Sequence, residues 1–477
     1  MLDFTGHPYI DIGLATIMAF VKKRNPNDIK DEDIEKIAEF MEKNYVKEPL
    51  SSFLTVVFPN SGFTNPSFNK SPEKRASYAR KILSSYKSDS ISEEFCVFTG
   101  KNITSIALST KTPPGRAFRQ HIPLTTGEGI INFSPWGDAG LPVSGEALLA
   151  VHAFPLGCAK CEGKLLAVHS DNPDLICDFA REFLDFNLKT ITLAHSSGDK
   201  KLKEAEALPK TLLIKTLLKA ELWQKDEASE HRPSSITAYH LSNIGTSPSI
   251  NIFHLPLQVI DFLSKAMSAE YKNGWNKIVD RGWWRSVSKK GKNINEPSRR
   301  NTLFEDLFDL PENAYSFIKL YFLRIPKKYG RKEDPRLTYS IKEEANLVSW
   351  KITELFLRRV LNMDKEKIDQ IRELGDKLAE FIAMENDKQF FRDFFNFRYD
   401  RFRAALIKAN LRQTKQNRPP FVSFDSYIAI FEDGNEIPSY DWKLSRDLLL
   451  IRMIEQLHDK GWLGTNIEDI PQIQTEE

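Results

Sequence analysis

From residue 347 onward, apolar residues recur at i, i+3 and i+4 in four stretches, 347–361, 365–384, 387–411 and 442–457. That period puts one stripe of each segment on a single face, and several such stripes are buried only against one another. Pro419-Pro420 and Asp433-Gly434-Asn435 supply breaks between the later segments. The spacing therefore predicts a C-terminal helical bundle over 336–477. The hydrophilic stretch from Ile325-Pro326-Lys327-Lys328 to Pro335-Arg336 is the linker candidate in front of it.

The first part of the chain reads differently. At 477 residues the whole is too long for one simple core, and 1–335 mixes both periods. Gly6-His7-Pro8 followed by Ile12, Leu14, Ile17, Met18 and Val21 predicts a helix, as does 31–45 with its acidic first turn. Ser71-Pro72-Glu73 is an N-cap, N1 and first-turn signal for a third helix to about residue 86. Residues 91–165 are rich in Pro and Gly and read as irregular strands, with 130–133 and 148–154 as their apolar pieces. Residues 165–230 return to helix, broken by charge at 200–206. Ile236 to Leu241 and Ile250 to His254 flank a turn-rich connection and predict a hairpin. Residues 257–263 and 303–323 read as helix. The expected class is α+β: a mixed N-terminal domain of helices and irregular strands, then the helical bundle.

The formal charge is only +2, so any binding to nucleic acid must come from local patches. Four cysteines without a disulfide framework, no signal-like leader and no long apolar run predict a cytoplasmic chain with no membrane partner.

Phosphate-cradling glycine loops, a His-Glu-x-x-His and a Gly-x-Ser-x-Gly elbow are all missing, and the nine histidines are scattered. Cys96-x-x-Thr99-Gly100 and Cys158-x-x-Cys161 form a degenerate zinc motif. Zinc in a structural site takes four N or S ligands in a tetrahedron, and Thr99 supplies no thiolate. Cys96, Cys158 and Cys161 are thus expected as an apolar or hydrogen-bonded remnant, with zinc the weaker alternative. His152 or His169 would be the replacement ligand.

Cations beside indoles are the better signal. Lys277, Arg281, Arg285, Lys289, Lys290 and Lys292 surround Trp283 and Trp284, a combination that neutralises phosphate and stacks or wedges against bases. The alternative is that both indoles are core anchors beneath a solvated basic face. In the bundle, Arg398, Arg401, Lys408 and Arg412 belong to a cation-rich stripe opposite Phe391, Phe394, Phe395 and Phe402, which predicts a phosphate-tracking helix. The loop 58–70 interleaves aromatics with amides and leads into Lys74 and Arg75.

Together these segments resemble a known family, on the strength of Gly6-His7-Pro8-Tyr9-Ile10-Asp11-Ile12-Gly13-Leu14-Ala15, Asn65-Pro66-Ser67-Phe68, residues 132–145 (Asn-Phe-Ser-Pro-Trp-Gly-Asp-Ala-Gly-Leu-Pro-Val-Ser-Gly) and Pro155-Leu156-Gly157-Cys158. The family is the large subunit of type I-B CRISPR effector complexes (Cascade), in the subfamily with paired Cys-x-x-Cys motifs. The likeness covers roughly residues 1–260 at motif level, and Thr99 departs from it.

The resemblance implies a non-catalytic subunit of a crRNA-guided antiviral complex. It would read the short protospacer-adjacent motif (PAM) in double-stranded target DNA, promote unwinding and R-loop formation, and help recruit the helicase-nuclease. Its partners would be crRNA, the target duplex with its displaced strand, and the backbone, guide-handle and small subunits. Asn60, Asn65, Asn69 and Lys70 are then the PAM or guide-handle contacts, since amides and cations read base edges and grooves. The alternative is that Asn60 and Asn65 merely cap turns. The bundle resembles the small subunits, and Met363 is a candidate internal start for a separate one. Two other classes compete: a metal-dependent nuclease using His121, His152 or His169 with the cysteines, and a free-standing RNA-binding protein.

Overall fold

In the computed structural model, which describes residues 2–131, 137–219, 234–244, 248–285, 298–396, 398–432 and 438–471, the protein is α+β. Its contacts divide it into two units, Met1–Leu257 and Gln258–Glu477.

The first unit is assembled on α1 (Pro8–Phe20), which is buried without interruption from Ile10 to Met18. Gly6 takes a left-handed φ of 83°, Pro8 opens the helix, and His7 Nδ1 accepts the Tyr9 N–H at 3.2 Å. A helix apolar on every side needs neighbours on every side. After α2 (Asp31–Tyr45), α3 (Leu50–Leu54) and α4 (Pro72–Leu83) come two short antiparallel pairs. These are β1 (Ser90–Phe95) with β2 (Asn102–Thr104), and β3 (Arg116–Ala117) with β4 (Leu141–Pro142). Then follow α5 (Gly145–Ala153), β5 (Ala159–Cys161), β6 (Lys164–Ser170), α6 (Pro173–Ser197) and α7 (Pro209–Leu217). The hairpin β7 (Ile236–Ser242) and β8 (Ser249–Leu255) completes a four-stranded antiparallel sheet in the order β5-β6-β7-β8. Helices α5 and α6 and strand β6 all pack on α1. The approach of α5 is close enough that a Cβ on Gly13 would sit 2.1 Å from the Ala150 carbonyl oxygen. Asp11 ties the helix start to the sheet, accepting from Thr5 N–H at 2.7 Å, Gly6 N–H at 2.9 Å and His169 Nε2 at 2.9 Å.

Two expectations are corrected here. Residues 148–154, read as strand, belong mainly to helix α5, which starts when the Ser144 hydroxyl accepts the Ala147 N–H at 3.2 Å. Conversely, 165–170 is strand and not helix. Leu165 through Val168 are all buried, which erases the alternation that betrays a half-exposed strand.

The second unit opens with α8 (Leu257–Ala266), α9 (Lys272–Asp280), α10 (Thr302–Asp306), α11 (Ala314–Phe317), α12 (Ile341–Glu344) and α13 (Trp350–Arg359). It continues through α14 (Lys365–Glu385), α15 (Lys388–Asp393), α16 (Tyr399–Lys415), α17 (Phe424–Phe431), α18 (Trp442–Asp459) and α19 (Trp462–Thr465). Phe356 of α13 packs against Phe262 of α8 at 5.5 Å and stacks on Phe317 at 5.2 Å, so 258–335 and the later helices share one core. The hydrophilic stretch 325–336 is no solvated linker: Ile325, Asp334 and Arg336 are buried, with Arg336 bonded to Asp334 and Asp306. The 303–323 stretch is broken into short helical pieces, and the expected 387–411 helix is two, α15 and α16. Among the described residues no helix is long and apolar enough to cross a membrane.

Candidate nucleic-acid interface

The 58–70 loop is aromatic inside and amide outside. Phe58 and Phe63 are fully buried, Thr64 Oγ1 donates to the Phe58 carbonyl at 2.6 Å, and the Tyr78 ring lies against Gly62 so closely that a Cβ there would be 2.2 Å from it. The loop's base is pinned by Asn243, itself fully buried. Its N–H reaches the Val56 carbonyl at 2.8 Å and its Nδ2 the Val57 carbonyl at 2.9 Å. Arg119 holds Asn243 in turn, through Nε to Oδ1 at 2.9 Å. Sequence reasoning missed Arg119 and Asn243. Asn243 stood in a turn-rich connection with nothing local to mark it.

On this frame Asn60 is exposed in a left-handed conformation, φ 61°, which asparagine tolerates better than most residues. Lys70, Lys74 and Lys81 follow it in the chain, are exposed, and form no ion pair among the described residues. Asn65 is committed otherwise: its Oδ1 accepts the Ser67 N–H at 2.9 Å, so it caps the short turn that follows. Arg75 is half-buried and reaches the Asn65 carbonyl at 3.2 Å, turning back into the protein. Asn69 lies in that turn, and its side chain is outside the described residues.

Beneath the loop sits a stack of histidines and aromatics. His152 stacks on Phe58 at 4.7 Å and His121 meets Phe118 edge-on at 4.5 Å. His152 Nδ1 bonds the Leu148 carbonyl at 2.7 Å, while its Nε2 and both ring nitrogens of His121 find no partner among the described residues. Burial pushes the His121 pKa down to about 3 and that of His152 down to about 4, so both rings are neutral at ordinary pH.

The three cysteines of the degenerate motif are not gathered into a metal-holding set among the described residues. Cys96, Cys158 and Cys161 are buried, and the Cys158 thiol donates to the Phe154 carbonyl at 3.1 Å, with burial raising its pKa. Among the described residues no three His, Cys, Asp or Glu side chains gather as a metal-holding group. As described, this set does not fit the tetrahedral ion.

In the second unit α9 exposes Lys272 and Lys277 and buries Trp275. Arg281 is bonded to Glu344 through Nε at 2.5 Å. Trp283 is half-buried against Phe304 at 6.1 Å, and the Arg300 guanidinium covers half-buried Trp284 at 4.3 Å. Arg285 is exposed, whereas Lys289, Lys290 and Lys292 lie outside the described residues. On α16, Arg398 pairs with Asp400 at 2.9 Å and Arg412 with Asp387. Arg401 and Lys408 are exposed with no ion pair among the described residues.

Compared with protein-family models and with curated proteins, the chain returned no match.

Proposed function

We propose that this chain is the non-catalytic large subunit of a crRNA-guided surveillance complex, which reads a short PAM in duplex DNA through the 58–70 loop. One observation carries the reading. The loop locks Phe58 and Phe63 inside and leaves Asn60 exposed, and the exposed Lys70, Lys74 and Lys81 that follow it in the chain form no ion pair among the described residues. An exposed amide on a loop that leads into cations suits a base edge flanked by phosphates, because the amide discriminates and the cations position. Lys277 and Arg285 add exposed backbone contacts, and recruitment of the helicase-nuclease, pairing with crRNA and unwinding of the duplex follow from the family likeness.

The test is a gel shift on the chain co-assembled with its guide and neighbouring subunits, against duplexes with varied flanks. Asn60→Gly keeps the backbone conformation and removes the amide, so the preference among flanks should relax roughly tenfold. Lys74→Ala should weaken all flanks alike and lower the salt slope by about one. Binding indifferent to flank in the unaltered protein would overturn the reading.

A further inference from the structure

Helix α16 has two apolar faces, and its own unit uses one. Phe402, Ala405, Leu406, Ala409 and Gln413 are buried, with Phe402 packed on Phe431 at 5.1 Å. On the opposite side Ala404, Ile407, Leu411 and Thr414 are all exposed, Ile407 by 51% and Leu411 by 56%. These four follow the a and d positions of a heptad, and the buried set falls on b, c and f. Arg401, Lys408 and Lys415 then occupy successive e positions, all exposed and without an ion pair among the described residues.

We infer that this second face is a docking seam for an acidic amphipathic helix of another protein. A run of like charge at e positions selects a partner whose flanking positions carry the opposite sign. A second copy of α16 does not fit, because the g positions hold Arg403 and Asn410 and offer no carboxylate. Nucleic acid fits less well too: phosphates would meet the cations but leave Ile407 and Leu411 in water, whereas a helix buries both. The inference goes beyond the PAM reading and does not rest on it, since that reading stands on the 58–70 loop.

The experiment uses the full chain and two fluorescent helical peptides about three heptads long, one with Leu at the seam and Glu at both flanks, the other with Lys at the flanks. Anisotropy should show the acidic peptide binding and the basic one not. Leu411→Asp, or Ile407→Asp if the first variant melts early by circular dichroism, should weaken the acidic peptide more than about tenfold. The double variant Lys408→Glu, Lys415→Glu should reverse the preference between peptides. The inference is overturned if the two peptides bind alike or not at all, or if Leu411→Asp leaves binding within about twofold. It is equally overturned if oligothymidylate displaces the peptide and depends on Lys408 but not on Leu411, which makes the stripe a phosphate track.

Discussion

The two units bury polar groups in different proportions of neutral and paired. The first keeps three of its buried titratable groups neutral: His121, His152 and Cys158 lie in the core with their pKa values moved away from ionisation by burial, beside one buried guanidinium, Arg116, that is paired with Glu94. The second buries charge and pairs it. Glu344 receives Arg281 on one oxygen and Arg324, fully buried, on the other, and the Tyr339 ring lies 3.6 Å under the Arg324 guanidinium. Arg446 and Asp447 are a second buried pair, in which burial raises the Asp447 carboxyl despite its partner, and Arg336 with Asp334 and Asp306 is a third cluster. Neutral burial leaves a unit sensitive to protons, whereas paired burial leaves it sensitive to the loss of one partner.

The largest effect should come from breaking a pair. Glu344→Ala strands two guanidiniums, one of them without solvent, and should cost the second unit about 3–5 kcal/mol. Denaturant unfolding followed by hydrogen exchange across 258–471 reads it, and a loss below about 1 kcal/mol would erase the contrast.

Acid should do to the first unit what that substitution does to the second. Folding lowers the pKa of His121 and His152 from 6.5 to about 3 and about 4, so the unfolded chain binds more protons below pH 6.5. Their contribution is whole above 6.5 and falls as pH drops towards the folded values. At pH 5.5 the two rings together should have cost about 2.5 kcal/mol relative to pH 7. The second unit should hold over that range. Burial alone would raise the Asp334 carboxyl, but hydrogen bonds from Arg336 keep it below its ordinary value. Parallel loss of exchange protection in both units at pH 5.5 would show the distinction to be wrong.

A smaller effect separates the two rings. Among the described residues neither nitrogen of His121 has a polar partner, so His121→Leu should be neutral or stabilising by about 1 kcal/mol at pH 7 and should remove about half the acid response. Smallest of all, Asn60→Gly should shift thermal stability by less than about 0.5 kcal/mol while changing flank preference, which separates a reading residue from a structural one.

Much of this architecture was legible in the chain. The start of α4 at Pro72, the hairpin β7–β8 and the helices α14 and α18 follow from local chemistry and period, although the Ser71 side chain makes no cap bond and α4 ends at Leu83. Strand β6 was not legible because burial on both faces removes the alternation on which strand reading depends. The candidate interface was harder. A cation's partner is set by the fold and not by its neighbours in sequence. Arg281 meets a carboxylate 63 residues away and Arg412 one 25 residues away, so both look like phosphate contacts until the fold is seen. Asn60 and Asn65 read alike in sequence, yet one is exposed and the other spends its oxygen on a cap.

The bond between Asp11 and His169 spans 158 residues, and the Gly13 contact with Ala150 closes the same loop. On a ribosome adding about 5–20 residues per second, α1 therefore waits roughly 8–30 s for the partners that cover it. Throughout that interval the apolar stretch from Ile10 to Met18 lacks the cover of β6 and α6, while α2 is already made and brings Phe40 to Phe20 at 5.1 Å. The core of the first unit therefore closes only once β6 and α6 have been made, so its folding follows synthesis of most of that unit and does not keep pace with it.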